Sequence, residues 1–277
     1  MTIARILLPL GSRGTSAACA DAAFGLADRF AAEVEAVHPS LPPLDRLRLP
    51  DESAAPMRIQ RLIDEATEQA KAERQSAQKA FAAMAKGFAK VKSRFQTIEG
   101  DIAASIAARG RLADFTVLPA VTDGEGAFWT ELREAALFDT GRPVLIAPKG
   151  KVSAKLGDTV VIAWKPGVEA ARAVTAAKPL LAKAKRVRVV TVSEDGADKR
   201  ALDDMAAYLK LLGLKPQAAM VKGRGGAAKL IMTEAAKAKD TILVMGAYSH
   251  WRWREWAFGG VTETLLHETP VPVLMTH

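Results

Sequence analysis

At 277 residues the chain is long enough for one large domain or two small ones. An apolar content of 49% and a charged content of 25% exclude collagen-like, mucin-like and intrinsically disordered classes. The formal charge of +8 suits an anionic partner, but the basic residues are spread along the chain as on solvated helix faces, which disfavours nucleic acid and puts small anionic ligands first.

The opening MTIARILLPLGSRG has no basic n-region ahead of a cleavable apolar stretch, and no apolar run approaches the roughly 18 residues of a membrane span. ARILLPL (4–10) reads as a first strand. The single cysteine, Cys19, lies in the Ala-rich SAACADAAFGLA and reads as a buried small side chain in a reducing, cytoplasmic setting. AEVEAV (32–37) is a second strand, followed by the turn-rich HPSLPPLDRLRLPDES (38–53). From Pro56 to about Lys90 an amphipathic helix of roughly 45 Å is expected, with Ser53 as N-cap and apolar positions at Met57, Ile59, Leu62, Ile63, Phe81, Met84 and Phe88. Two readings stand for it, a helix laid on its own sheet and a protruding arm or dimer contact.

Strands follow at VKSRFQTI (91–98), FTVLPA (115–120) and PVLIAP (143–148). After GKVSAKLGD (150–158), which has neither period and reads as a linker, the order repeats: TVVIAW (159–164), RVRVVTV (186–192), KPQAAMV (215–221), TILVMG (241–246) and PVLMT (272–276). REAALFDTGRPVLIAP (133–148) lines up with TETLLHETPVPVLMTH (262–277), Pro143 against Pro272. Two βα-alternating halves with parallel sheets covered by helices, related by duplication, are the expectation.

In open parallel sheets, ligands bind beyond the carboxyl ends of strands where the winding reverses. Two loops of the second half meet that condition: Lys165 to Val168, and the long GAYSHWRWREWAFGGVTETLL (246–266). Gly246 ends a strand, and Gly259 and Gly260 precede the helical VTETLL. Glycine there permits close backbone approach, and free amides at a helix start can hold phosphate.

The segment MGAYSHWRWREWAFGGVTETLLHETPVPVLMTH (245–277) resembles the closing segment of a universal stress protein (UspA-type) domain. That family places a glycine after strand four, a second three positions on, then nine residues and Gly followed by Ser or Thr. VVIAWKPGVEAARAV (160–174) is similar to its opening strand and first helix. The resemblance spans nearly the whole chain as a tandem pair. It implies an α/β fold of two flavodoxin-like (Rossmann-like) domains, 1–149 and 156–277, each a five-stranded parallel sheet ordered 3-2-1-4-5 with helices on both faces, paired through edge strands five. It further implies a non-enzymatic stress-response or signalling module, an intramolecular pseudo-dimer or homodimer, with ATP or AMP as ligand of the second domain only. The implied site comprises Ala163, Trp164, Lys165, Val192, Gly246, Ser249, His250, Gly259, Gly260, Val261 and Thr262, phosphates meeting the amides of 259–262.

Several positions depart from the family pattern. Where ATP-binding members keep an aspartate after strand one, this chain has Lys165 in the second half and Gly11 in the first. Ser249 replaces the second motif glycine, and Gly260 stands where Ser or Thr is usual. Lys165 either contacts phosphate as a point charge or points to solvent while Pro166 shapes the turn. In the first half, PAVTDGEGAFWTEL (119–132) lacks the strand-end glycine and brings Asp123 and Glu125, a poor setting for phosphate; Gly124 and Gly126 read as turn residues.

His250 reads either as a phosphate or acid–base group or as a solvent-facing side chain. Trp251, Trp253 and Trp256 with Arg252 and Arg254 read as packing or oligomer contact ahead of ligand cover or single-stranded nucleic acid. His38, His267 and His277 share no ligand spacing and no CxxC occurs, so no metal site is expected. No nucleophile–base pair, nucleophile elbow or P-loop is present, and no catalytic residue is assigned. The alternatives are a weak ATPase and a purely structural or protein-interaction module.

Overall fold

The computed structural model describes residues 2–47, 56–121, 126–192, 199–247 and 260–277. Its first half runs β1 (Arg5–Pro9), α1 (Ala17–Phe30), β2 (Glu33–Ser40), α2 (Pro56–Lys86), β3 (Ser93–Glu99), α3 (Ile102–Gly110), β4 (Phe115–Pro119), α4 (Ala127–Phe138) and β5 (Val144–Ala147). The second half repeats it as β6 (Thr159–Ala163), α5 (Val168–Ala176), α6 (Lys178–Lys183), β7 (Arg186–Val192), α7 (Lys199–Leu211), β8 (Pro216–Val221), α8 (Gly226–Ala236), β9 (Thr241–Gly246), α9 (Gly260–Glu268) and β10 (Val273–Thr276). Pro179, in the first turn of α6, sets that helix off from α5.

The strands form one ten-stranded sheet ordered β3-β2-β1-β4-β5-β10-β9-β6-β7-β8. Within each half the order is 3-2-1-4-5 and all pairs are parallel; β5 and β10 alone run antiparallel. Right-handed crossovers place the first helices of each half on one face and the later ones on the other. One buried cluster accordingly joins Phe24 and Leu26 of α1 to Val174, Leu181 and Leu209 of the second half. The opposite cluster joins Ile106 and Leu132 to Ala235 and Leu265. Both cores therefore draw on both halves.

The junction is symmetric to the residue. Val144 faces Met275, Leu145 faces Leu274 and Ile146 faces Val273. Since Leu145 and Leu274 also correspond in the aligned carboxyl-terminal segments, a pseudo-twofold axis passes through that pair. A polar clasp supports it: Arg29 at the end of α1 donates to Asp158 Oδ1 at 2.7 Å, to the Leu156 carbonyl at 3.3 Å and to the Lys183 carbonyl at 2.6 Å. Lys183 donates back to the Arg29 carbonyl at 2.5 Å and lies 4.5 Å from the Phe30 ring centre.

Ser16 caps α1, accepting from the Cys19 amide at 3.2 Å, and Cys19 itself is fully buried. Burial pushes its thiol up to about 11, against the lowering effect of the Ser16 and Thr15 hydroxyls. Helix α2 meets the sheet through Phe81, which stacks on Phe95 of β3 at 5.7 Å, and just beyond its end Phe88 stacks on Phe24 of α1 at 5.0 Å. Its first turn departs from the expected apolar stripe, with Met57 84% exposed. The helix closes at Lys86 instead of Lys90, and the expected cap Ser53 lies outside the described residues. Strand β2 also continues to Ser40, through residues expected to turn. Among the described residues no helix is long and apolar enough to cross a membrane.

Lys185 and Arg29 hold the Asp158 carboxyl below its ordinary value. A depressed folded value means this stabilisation is present above the ordinary carboxylate range and is lost as pH falls through the folded value. Arg29→Met is expected to lower stability by about 1–3 kcal/mol in urea titration, since it leaves Asp158 and two carbonyls short of a donor. Asp158→Asn should flatten the stability–pH curve below about pH 4 relative to wild type.

Candidate functional site

Three strands end side by side in the second half, in the order β9-β6-β7. Beyond the end of β6, the Trp164 amide donates to the Val190 carbonyl at 2.8 Å, and the Thr191 hydroxyl donates to the Trp164 carbonyl at 2.9 Å. β7 thus holds the backbone until Lys165, Pro166 and Gly167 leave the sheet, all three exposed, and α5 begins. Ala163, Val192 and Val261 pack against the cluster on the α8–α9 face, whereas Trp164 packs against the opposite face.

Gly246 has a role that its motif position did not announce. A Cβ there would sit 2.5 Å from the Ala170 nitrogen and 2.8 Å from the Glu169 carbonyl carbon. The close backbone approach is therefore made by the first turn of α5, which lies directly on the strand end. The Thr276 hydroxyl fixes the same turn by donating to the Glu169 carbonyl at 2.9 Å.

Helix α9 starts at the exposed Gly260, followed by half-buried Val261 and buried Thr262. Glu263 occupies its first turn, favourable to the helix dipole and a competitor for any anion there. The structure thus gathers Ala163, Trp164, Lys165, Val192 and Gly246 on adjacent strand ends, and places Gly260, Val261 and Thr262 at the helix that precedes β10. Ser249, His250 and Gly259 lie outside the described residues, as do Trp251, Arg252, Trp253, Arg254 and Trp256.

Sequence reasoning missed a neighbouring cleft of about 300 Å³ lined by Trp164, Pro166, Ala201, Asp204, Met205 and Tyr208. Among the described residues Trp164 Nε1 is buried without a hydrogen-bond partner, and Lys178 Nζ lies 5.8 Å from the Tyr208 ring centre. The signal available was the aromatic directly after the strand, which carries a polar edge into an apolar setting.

The corresponding corner of the first half is filled. A Cβ on Gly11 would lie 3.4 Å from Trp129 and 3.7 Å from Phe128, two rings of α4 that meet edge-on at 5.3 Å. Gly11 and Gly14 exchange backbone hydrogen bonds at 2.9 Å. Gly14, at φ +89, has the Ala80 Cβ 2.9 Å from where its own would be, so α2 seals the turn from the other side. Gly126, expected in a turn, is the extended N-cap of α4, and Asp123, Gly124 and Glu125 lie outside the described residues. Among the described residues no three His, Cys, Asp or Glu side chains cluster as a metal site. His38 is buried with Nδ1 2.9 Å from the Leu10 carbonyl, and His277 packs edge-on against Phe138 at 5.0 Å.

No protein-family model and no curated protein matches the sequence. Solved structures do match the fold. A universal stress protein from Archaeoglobus fulgidus DSM 4304 aligns with a TM-score of 0.68 at 21% identity, over 98% of this chain and 94% of that one. A functionally unknown protein from Pseudomonas aeruginosa PAO1 aligns with a TM-score of 0.56 at 13% identity, over 98% and 92%. The chain has the flavodoxin-like, two-fold repeated α/β fold of the universal stress protein structure it overlays.

Gly246→Ala is expected to cost about 1–3 kcal/mol by overpacking against α5. Gly167→Ala, at an exposed turn, should cost less, and chemical denaturation of the two variants tests the difference.

Proposed function

We propose that the chain is a tandem universal stress protein of the UspA type, with units 1–149 and 156–277, that acts as a non-enzymatic binding module. Its second unit takes ATP, AMP or another phosphate-bearing anion at the ends of β6, β7 and β9, facing the start of α9. The first unit serves as its built-in dimer partner.

The observation that carries this reading is the asymmetry between equivalent corners. In the first half Phe128 and Trp129 occupy the space over Gly11, whereas in the second half the turn Lys165–Gly167 is exposed. An exposed cation at a strand end suits a phosphate better than a neutral nucleoside. The exposed lysine also replaces part of the charge neutralisation that Mg²⁺ gives a bound triphosphate.

Calorimetric titration with ATP, ADP and AMP at low salt tests the reading. Binding below the millimolar range by at least one of them is expected, with little dependence on Mg²⁺. Lys165→Asp should weaken Mg²⁺-free binding at least about tenfold, equivalent to 1.4 kcal/mol. Absent affinity for all three nucleotides would overturn the nucleotide reading while leaving the fold in place; undiminished binding in Lys165→Asp would make the lysine a bystander at the site.

A further inference from the structure

The opposite end of the second half, at the amino ends of its strands, holds a pocket of about 460 Å³. Thr159, Arg186, Arg188 and Gln217 line it from the strands, and Lys237, Lys239 and Asp240 from the α8–β9 turn. Its size is that of a small-ligand site.

The internal repeat supplies a control for its charge. Strand register makes Thr159 the counterpart of Arg5, Arg186 of Glu33, Arg188 of Glu35 and Gln217 of Arg94. In the first half this corner is closed on itself. The fully buried Glu35 accepts from Arg94 at 2.9 Å and from Arg109, and Arg5 lies 3.5 Å away. Glu33 pairs with Arg5 at 3.1 Å, and Asp114 accepts the Ala4 and Arg5 amides at 2.7 and 2.9 Å. Arg5, Arg94 and Arg109 face Glu33, Glu35 and Asp114, while Arg111 of the α3–β4 turn donates to the Asp139 carbonyl at 3.0 Å.

In the second half the signs on the second strand are reversed and the balance is not restored. Arg188 pairs with Glu234 at 2.9 Å, and Lys237 pairs with the same carboxylate. Lys237 first, then Arg188, hold Glu234 below its ordinary value, so its charge is committed to them. Arg186 has one bond to a neutral group, Nε to the Thr159 hydroxyl at 3.2 Å. Lys239 has no side-chain partner among the described residues. Four cations, Arg186, Arg188, Lys237 and Lys239, thus stand against two carboxylates, Glu234 and Asp240, an excess of two positive charges around one concavity. Lys185, just outside, is spent on Asp158 at 2.7 Å.

We infer that this pocket binds a dianionic phosphate group of a small molecule, a phosphate monoester or diphosphate. Arg186 offers the planar fork suited to two phosphate oxygens, and Lys239 a point charge from the facing turn. Gln217 and the Thr159 hydroxyl supply neutral hydrogen-bonding groups beside them. The volume leaves room for an organic portion next to the phosphate. The site is separate from the proposed nucleotide site, at the other end of the same strands.

The test is amide NMR of the full chain titrated with inorganic pyrophosphate at low ionic strength. Saturable shifts at residues 186–188 and 237–240 are expected, with a dissociation constant below about 1 mM. The double variant Arg186→Gln, Lys239→Gln, both surface-exposed and so foldable, should bind at least tenfold more weakly at these residues. The variant Lys79→Gln, Lys90→Gln removes the same charge from exposed positions of the first half and should bind as wild type does. Shifts confined to 163–167 and 260–262 would overturn the inference. So would shifts that never saturate, or equal weakening in both double variants, which would indicate attraction to net charge alone.

Discussion

Everything else in this molecule hangs on the antiparallel pairing of β5 with β10. A five-stranded sheet wound 3-2-1-4-5 leaves its fifth strand at an edge, with a row of unpaired amides and carbonyls that invites association. Here two such edges meet within one chain, about the Leu145–Leu274 pair. The pairing makes one sheet of ten strands, lets apolar helices from both halves share each face, and brings the end of α1 to Asp158 and Lys183. The remaining edges are guarded differently. β3 carries Arg94 and Glu99 and is approached by α2, while β8 opens on Pro216 with Gln217 exposed.

With the halves locked together, they are free to diverge at their ends. The first closes both of its own: Phe128 and Trp129 stand over Gly11 at the carboxyl side, and the Glu33–Glu35 arginine network is complete at the amino side. In the second half Lys165 is exposed at one end, and Arg186 and Lys239 are exposed at the other. A buried carboxylate such as Glu35 is tolerable only when fully paired, and Arg94 and Arg109 supply that pairing. Arg188, in the same register as Glu35, is half-buried and pairs with Glu234 at 2.9 Å.

The repeated strand order, the junction segments and the strand-end glycine were legible in the sequence because each is a local pattern of apolar period and turn residues. What was illegible is instructive. The HisProSer segment 38–40 reads as a turn, yet it is strand. The carbonyls of Val37 and Ser40 go to opposite neighbours, Leu10 and Gly100, so the Pro39 nitrogen points toward the side where β1 has already finished. Proline costs no ladder bond there. Met57 follows the apolar period of α2, but period alone does not say which turns are covered. The basic pocket was beyond reach because its cations come from β7 and from a turn some fifty residues later, which only register brings together.

Gly246 shows that the close backbone approach a motif glycine permits is made by the protein's own chain. Its counterpart in the first half, through the β4–β5 and β9–β10 registers, is Pro119. Where the strand ends in glycine, four residues separate β6 from α5, whose first turn rests on that glycine; where it ends in proline, seven residues separate β1 from α1. A bulky strand end obliges the chain to loop outward before the helix can begin, and that longer turn is the one α2, Phe128 and Trp129 cover. The glycine therefore sets how tightly the first helix is drawn onto the sheet, and through that, how far Lys165 stands from the end of β6. Any ligand at this corner meets a geometry that packing has already fixed.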